Sequence, residues 1–297
     1  MEFTAVPISV LGLGNMGAAI ASVLLDKGHL VTIWNRTIDK AQHFIPRGAK
    51  VAKVPADCAQ PGSLVLISLA SDEVVRDVLS RIPTFIGCTV INFTTSRPQW
   101  EIGTADIVTN KLSALGYLHG WINSIPSEVK AQQADITYSG PEAVFAKQKH
   151  ICQIFGKTVW SSDDHKNICL LENAALSMVA GFCAAFFQSL ALAGAAGVDT
   201  VDFTRKSLLP LLPIFQSLLP QMAETDQNLS QSTPGDSVTV STMLGVVCNA
   251  RETAETSGVS GRLLEDFNAL LREAVESGQG LEDLSTMIQM LRRENKE

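Results

Sequence analysis

The hexapeptide GLGNMG, Gly12 to Gly17, stands between a β-branched apolar run and an amphipathic one, and that placement restricts the fold more than any other feature. From Val6 to Leu13 the run VPISVLGL reads as a strand. AAIASVLLDKG then repeats its apolar positions at helical spacing and stops at Gly28. Strand, tight glycine turn and helix, in that order, form the first unit of a dinucleotide-binding domain. Gly12 permits the turn, Gly14 lets the backbone approach a pyrophosphate, and Gly17 lets the helix pack on the strand. Asn15 and Met16 open the helix, whose unpaired N-terminal amides are donors for phosphate.

The alternation continues. Leu30–Asn35, Ser63–Leu69, Cys88–Thr94, Gly116–Gly120, Asp135–Ser139 and Thr158–Trp160 read as further strands separated by helical segments, which builds a parallel sheet covered on both faces. After Ser162 strand signals stop. A boundary at Ser161–Asp164 is expected, with a nucleotide-binding domain over 1–162 and a helical domain over 163–297. Two domains also suit a chain of 297 residues, too long for one ordinary core. The first helical element, Asn167 to Ala196, would be about 45 Å long. It is too apolar to stand uncovered, so a second copy of the chain is the expected partner. Pro210, Pro213 and Pro220 are expected to break the next segment, and the polar stretch 226–236 to form a mobile loop.

Charge narrows the partners. A formal charge of −7 and no basic cluster beyond Arg292–Arg293 argue against nucleic acid or an anionic membrane. The six cysteines lack metal-ligand spacing, so no metal is expected. The N-terminus opens directly into a strand and reads as carrying no signal peptide, which points to a cytoplasmic protein with reduced cysteines. The apolar stretch from Ala174 to Val198 is interrupted by Gln188 and reads as a buried helix rather than a membrane span.

The second strand decides the cofactor. A carboxylate at its end would bind the ribose hydroxyls of NAD and repel a 2′-phosphate. The chain instead has Asn35, Arg36 and Thr37, which can donate to phosphate oxygens, and Lys40 adds charge. NADPH is therefore favoured over NADH. Leu69 and Ala70, and Asn92 with Thr94, close strands that flank the crevice and are expected along the ribose and nicotinamide. His119 reads as a structural strand-end residue, and His43, His150 and His165 as surface residues.

Taken together, GLGNMG, WNRT, INFTTSRP, YLHGWINSIPS, TYSGPEAVF, LLENAALS and the closing SGVSGRLLEDFNALLREAVESGQGLEDLSTMIQMLRR resemble the fungal imine reductases and reductive aminases. These lie within the β-hydroxyacid dehydrogenase superfamily, with its 6-phosphogluconate-dehydrogenase-type NADP-binding domain. The resemblance implies an α/β Rossmann domain, one long inter-domain helix and an all-α C-terminal bundle exchanged in a domain-swapped dimer. It also implies an active site in the cleft between the two. At the position where hydroxyacid-oxidising relatives carry a catalytic lysine, this register places Glu172. Lys166 lies six residues earlier, some 9 Å along a helix, and cannot substitute.

By the same resemblance Glu172 is the candidate acid, able to protonate a nascent amine or hold an iminium by charge, with Asn173 beside it. Thr95 stands where reductive aminases tend to have a substrate-orienting Asn, and Ala180 where they have a Tyr. Trp121 and Asn123 fill pocket positions that are commonly smaller or apolar. The expected reaction is hydride transfer from NADPH to a preformed cyclic imine, an iminium or a related conjugated double bond in specialised metabolism, rather than amination of simple ketones. Two rivals remain: an NADP-dependent hydroxyacid or alcohol dehydrogenase, and a pathway protein that keeps the cofactor fold without reducing.

Overall fold

The computed structural model describes residues 7–227 and 238–293, so most of the expected loop over 226–236 lies outside the described residues. Contacts divide the chain into two compact units, 1–177 and 178–297.

The first unit is a sheet of eight strands. In chain order these are β1 (Pro7–Leu11), β2 (Leu30–Trp34), β3 (Lys50–Val51), β4 (Leu64–Ile67), β5 (Thr89–Asn92), β6 (Gly116–Ile122), β7 (Ala134–Ser139) and β8 (Gly156–Ser162). They lie in the spatial order 3-2-1-4-5-6-7-8. The order reverses direction at β1, with β2 on one side and β4 on the other, which opens a crevice at the carboxyl ends of these strands. Helices α1 (Asn15–Asp26), α2 (Asp72–Leu79), α3 (Pro98–Asp106), α4 (Pro126–Lys130) and α5 (Glu142–Cys152) connect the strands.

Alternate residues of β4 serve opposite layers, as the pleat requires. Leu64 and Leu66 pack in one core with Ile20, Val23 and Leu24 of α1. Val65 and Ile67 pack in the other with Val75, Val78 and Leu79 of α2.

Strands β1 to β6 are parallel, as expected, but β7 runs antiparallel to β6. The connection 123–133 holds only the short α4, less than the dozen or so residues that a parallel crossover needs. The longer link through α5 then returns β8 parallel to β7. Strand β3 was not foreseen, because two residues show no period. The segment before it is a 3-10 helix over Ile38–Arg47 rather than an α-helix.

Helix α6 spans His165–Ala195, close to the expected long element and about 46 Å at 1.5 Å per residue. Its first turns belong to the sheet unit, where Ile168, Cys169 and Glu172 are buried. By length and composition alone it could cross a bilayer.

The second unit adds α7 (Thr200–Phe203), α8 (Leu212–Gln227), α9 (Val240–Thr256), α10 (Glu265–Ala274) and α11 (Met287–Arg293). Its core is small: Val240, Val247, Leu271, Ala274, Met287 and Met290. Pro213 sits in the first turn of α8, where its missing N–H costs nothing. Pro220 does not end the helix as expected, since α8 continues through it and gives up only the bond to the Gln216 carbonyl. Large apolar side chains including Met178, Val179, Phe182, Phe187, Ile214, Phe215 and Val246 are exposed on this unit.

Candidate nucleotide cleft and buried acid site

The glycine turn takes the geometry its sequence demands. Gly12 adopts φ +103°, and a Cβ there would lie 2.1 Å from the Ser68 carbonyl oxygen; a Cβ on Gly17 would lie 2.1 Å from the carbonyl of Gly12. Gly14 instead faces open space, where a ligand can approach the backbone. No side chain caps α1 at this end, which leaves its first amides for an anion.

A cavity of about 560 Å³ opens over this turn, a size proper to a cofactor site. Of the expected cofactor residues, Gly12, Gly14, Asn15, Met16, Asn35, Arg36, Thr37, Lys40, Leu69 and Ala70 line it. Arg36, Thr37 and Lys40 are exposed at its rim, and Arg36 has no hydrogen-bond partner among the described residues. Asn35 has a second task, since its Oδ1 accepts from Leu13 N at 2.9 Å and its Nδ2 donates to the Thr37 carbonyl at 2.9 Å. It therefore ties the end of β2 to the glycine turn. Gly17, Asn92 and Thr94 lie outside the cavity wall. Thr94 reaches it indirectly, because its Oγ1 accepts from Leu69 N at 3.0 Å. These residues fit a phosphorylated dinucleotide: an open glycine turn, free helix amides, and cations where a 2′-phosphate would sit.

Beyond Thr94 the loop leaving β5 is held rigidly. Asp72, at the start of α2 and 5% exposed, accepts from Ser96 Oγ at 2.5 Å and from Arg97 N and Nε, each at 3.1 Å. Arg97 also pairs with Glu73. Asn173 Nδ2 donates to the Ser96 carbonyl at 2.9 Å and to the Cys169 carbonyl at 2.7 Å, which fastens α6 to the same loop.

This brings together the expected pair Thr95 and Glu172: the Thr95 hydroxyl donates to Oε1 of Glu172 at 2.7 Å. Thr95 is exposed and Glu172 is 4% exposed, so a buried carboxyl opens outward through a single hydroxyl. Lys166, by contrast, is exposed in the first turn of α6. Trp121 is half-buried at the end of β6, and Asn123 is exposed just beyond it. Ala180 is exposed and belongs to the second unit.

Residues that sequence reasoning missed lie behind Glu172. His119 Nε2 is 3.3 Å from Oε2 of Glu172. His119 Nδ1 is 3.2 Å from Oε1 of Glu101, an ion-pair distance without hydrogen-bond alignment. Glu101, on α3, also accepts from the Tyr117 hydroxyl at 2.6 Å and from Asn92 Nδ2 at 3.3 Å. Burial would push the His119 imidazole down, but the Glu101 carboxylate, with Cys169 and Glu172, outweighs it and holds the ring well above the usual histidine range. Burial would likewise raise Glu101, yet His119 first, then Tyr117 and His165, hold it below the usual carboxylate range.

The two directions agree on an imidazolium beside a carboxylate. Burial and the Glu101 charge push the Tyr117 phenol well up, so it stays a donor. Burial likewise raises the Cys169 thiol. Ligand-type atoms of Glu101, His119 and Cys169 lie within 4.8 Å of one another. His165, expected at the surface, is half-buried edge-on against Tyr117 at 5.2 Å.

A doubly wound sheet with an open glycine turn, a cationic rim and a separately buried acid defines a dinucleotide-dependent enzyme of the Rossmann type. Residues 7–162 match the NAD binding domain of 6-phosphogluconate dehydrogenase, and residues 164–293 match the C-terminal domain of NADPH-dependent reductive aminase-like proteins. The chain is 30% identical over 289 residues to an NADPH-dependent reductive aminase of Aspergillus oryzae, covering 95% of this chain and 96% of the relative. A reductive aminase from Aspergillus terreus, solved with NADPH and ethyl levulinate, superposes with a TM-score of 0.89 at 27% identity, covering 97% of this chain and 100% of that one. An imine reductase from the same organism, solved with dibenz[c,e]azepine, gives a TM-score of 0.81 at 27% identity over the same shares. The chain belongs to the NADPH-dependent reductive aminase and imine reductase family.

Proposed function

We propose that this chain is an NADPH-dependent oxidoreductase that reduces a C=N bond, in a preformed imine or iminium, with Glu172 as the proton donor. The observation that carries the reading is the Thr95–Glu172 bond: a buried carboxyl aimed at the end of β5, next to the crevice where the nicotinamide of a bound dinucleotide belongs. NADPH supplies the hydride from C4 of its nicotinamide. Arg36, Thr37 and Lys40 hold the 2′-phosphate, and the amides after Gly14 hold the pyrophosphate. Glu172 protonates the nascent amine nitrogen or faces an iminium as a counter-charge, and Thr95 orients the carboxyl.

The working molecule is a dimer. The exposed apolar side chains of the helical unit, from Met178 to Val246, support this, because a monomer rarely leaves so many uncovered. Helix α6 serves that assembly rather than a membrane, since Glu172 in its early turns is paired with groups of the sheet unit. The division of labour follows the boundary near 162, with nucleotide binding before it and dimerisation and further substrate contacts after it. Within the sheet unit, Trp121, Asn123 and Asn173 border the substrate. All six cysteines are free, which supports a reducing, cytoplasmic setting.

Mixing the protein with NADPH and a cyclic imine such as a dihydroisoquinoline tests the reading. Loss of nicotinamide absorbance with the imine and NADPH, and no rise with β-hydroxyacids and NADP, is expected. The reverse preference would refute it.

A further inference from the structure

Reduction of an imine needs one proton per turnover, and the group proposed to give it is nearly closed off from water. Behind it stand Glu101 and His119, both 0% exposed, on elements that contribute no residue to the cavity wall. We propose that Glu101 and His119 are positioning residues, Glu101 holding the ring from which His119 resupplies Glu172 with a proton, in a buried cluster that opens at Thr95. The proposal rests on the reductase reading above.

The geometry supports a relay in several ways. The two ring nitrogens of His119 face two different carboxylates, at 3.2 Å and 3.3 Å, so the ring bridges them. Glu101 is anchored by Tyr117 and Asn92 and cannot turn away. Glu172 is anchored by Thr95 on its other oxygen. Two ionised carboxylates with one imidazolium leave a net negative charge in a buried site, which favours one further proton on the cluster as a whole. The groups facing His119 are Glu101 from α3, Tyr117 on its own strand, and Glu172 and Cys169 from α6, with His165 beside Tyr117. Of these the phenol and thiol are pushed up and stay neutral, which leaves Glu101 as the carboxylate held in its charged form beside the ring.

The step balances. As hydride adds to the carbon, the nitrogen forms an N–H bond and the O–H bond of Glu172 breaks. The Nε2–H bond of His119 then breaks as its proton passes to Oε2 of Glu172, leaving a neutral imidazole beside Glu101. After product leaves, water at the exposed Thr95 end returns a proton along the same path. The electron pair comes from NADPH, and no other reductant enters.

Nitrogen-15 NMR of the NADP-bound protein, labelled at histidine, reads the relay without turnover. His119 should remain imidazolium well above the usual histidine range, and Glu101→Gln should lower its midpoint by at least one unit. A neutral His119 at pH 7, or no response to Glu101→Gln, would overturn the proposal. In steady-state assays His119→Gln should lower kcat at least tenfold, with KM and NADPH affinity within threefold, and move the alkaline limb of the pH profile to lower pH. A kcat loss with the limb in place would mark a purely structural role and also overturn it. If the protein oxidises NADPH with no imine at all, the reductase reading fails, and the NMR result still reports whether the protonated bridge exists.

Discussion

Replacing Arg36 by Ala separates the two nicotinamide cofactors, and the structure sets the size of the effect. Arg36 is exposed at the rim of the nucleotide cavity, among Thr37 and Lys40, where a carboxylate would select the unphosphorylated cofactor. A charge-assisted hydrogen bond contributes about 1.5–3 kcal/mol, or about 10–150-fold in affinity. Solvent screening at an exposed guanidinium and the retained Lys40 pull the expectation to the lower end, about tenfold. The other cation near the rim, Arg81, is already paired with Asp77 at 2.7 Å and cannot replace the lost contact without breaking that bond. Fluorescence titration of the apo-protein should therefore show NADPH weakened about tenfold, with NADH unchanged within about twofold. The difference should shrink as salt is raised. Equal weakening of both cofactors, or an unchanged preference, would refute the assignment of the 2′-phosphate to Arg36.

Other consequences follow from the same geometry. Glu172→Gln keeps the shape but not the proton, so kcat should fall by about a hundredfold or more in the imine assay while NADPH binding holds. Gly12→Ala drives a Cβ into the Ser68 carbonyl at a positive φ, and should abolish NADPH binding in a titration or lower the thermal midpoint sharply. Stability should depend on pH on both sides of the Glu101–His119 pair. Glu101 is held below its ordinary 4.5, so its contribution is present above that value and lost as pH falls through the folded value. His119 is held well above 6.5, so its contribution is present below 6.5 and lost as pH rises through the folded value. Thermal melts of the wild type and His119→Gln should thus differ most between 4.5 and 6.5 and converge toward alkaline pH. Light scattering should return the mass of two chains, with no concentration-dependent monomer in the micromolar range.

What could be read in the sequence was what depends on local constraint. The GLGNMG turn is legible because only glycine satisfies φ +103° at Gly12 and the contact at Gly17. The cationic end of β2 is legible because Arg36 stands in the sequence where a carboxylate would otherwise close the strand. Helix α6 shows through its long apolar stretch, and the direction of β7 does not, because only the length of the 123–133 link decides it. Asn35 was legible as a cofactor-side residue, but not as the clamp on Leu13 that the fold makes of it. Glu101 and His119 were hidden for another reason. Each is one polar residue in an otherwise ordinary segment, and their meaning comes from contacts across residues 101, 119 and 172, which no spacing rule connects. Two polar residues inside buried elements were the available signal, and His119 was seen only as a strand end.

Thr95 shows how this cluster bears on the choice of substrate. A hydroxyl has one proton, and Thr95 gives it to Glu172 at 2.7 Å. Toward the substrate it then presents lone pairs alone, whereas an amide at this position would offer both a donor and an acceptor. A free amine attacking a ketone needs its lone pair unencumbered and its N–H bonds oriented, together with a donor for the carbonyl oxygen that leaves as water. A preformed iminium needs less, since its N–H can donate to an acceptor and the negative cluster behind that acceptor stabilises its charge. The Thr95 hydroxyl and the His119 imidazolium thus both donate to Glu172, so the bonds converge on that carboxyl, and under the proposed reading the substrate nitrogen meets an acceptor at Thr95.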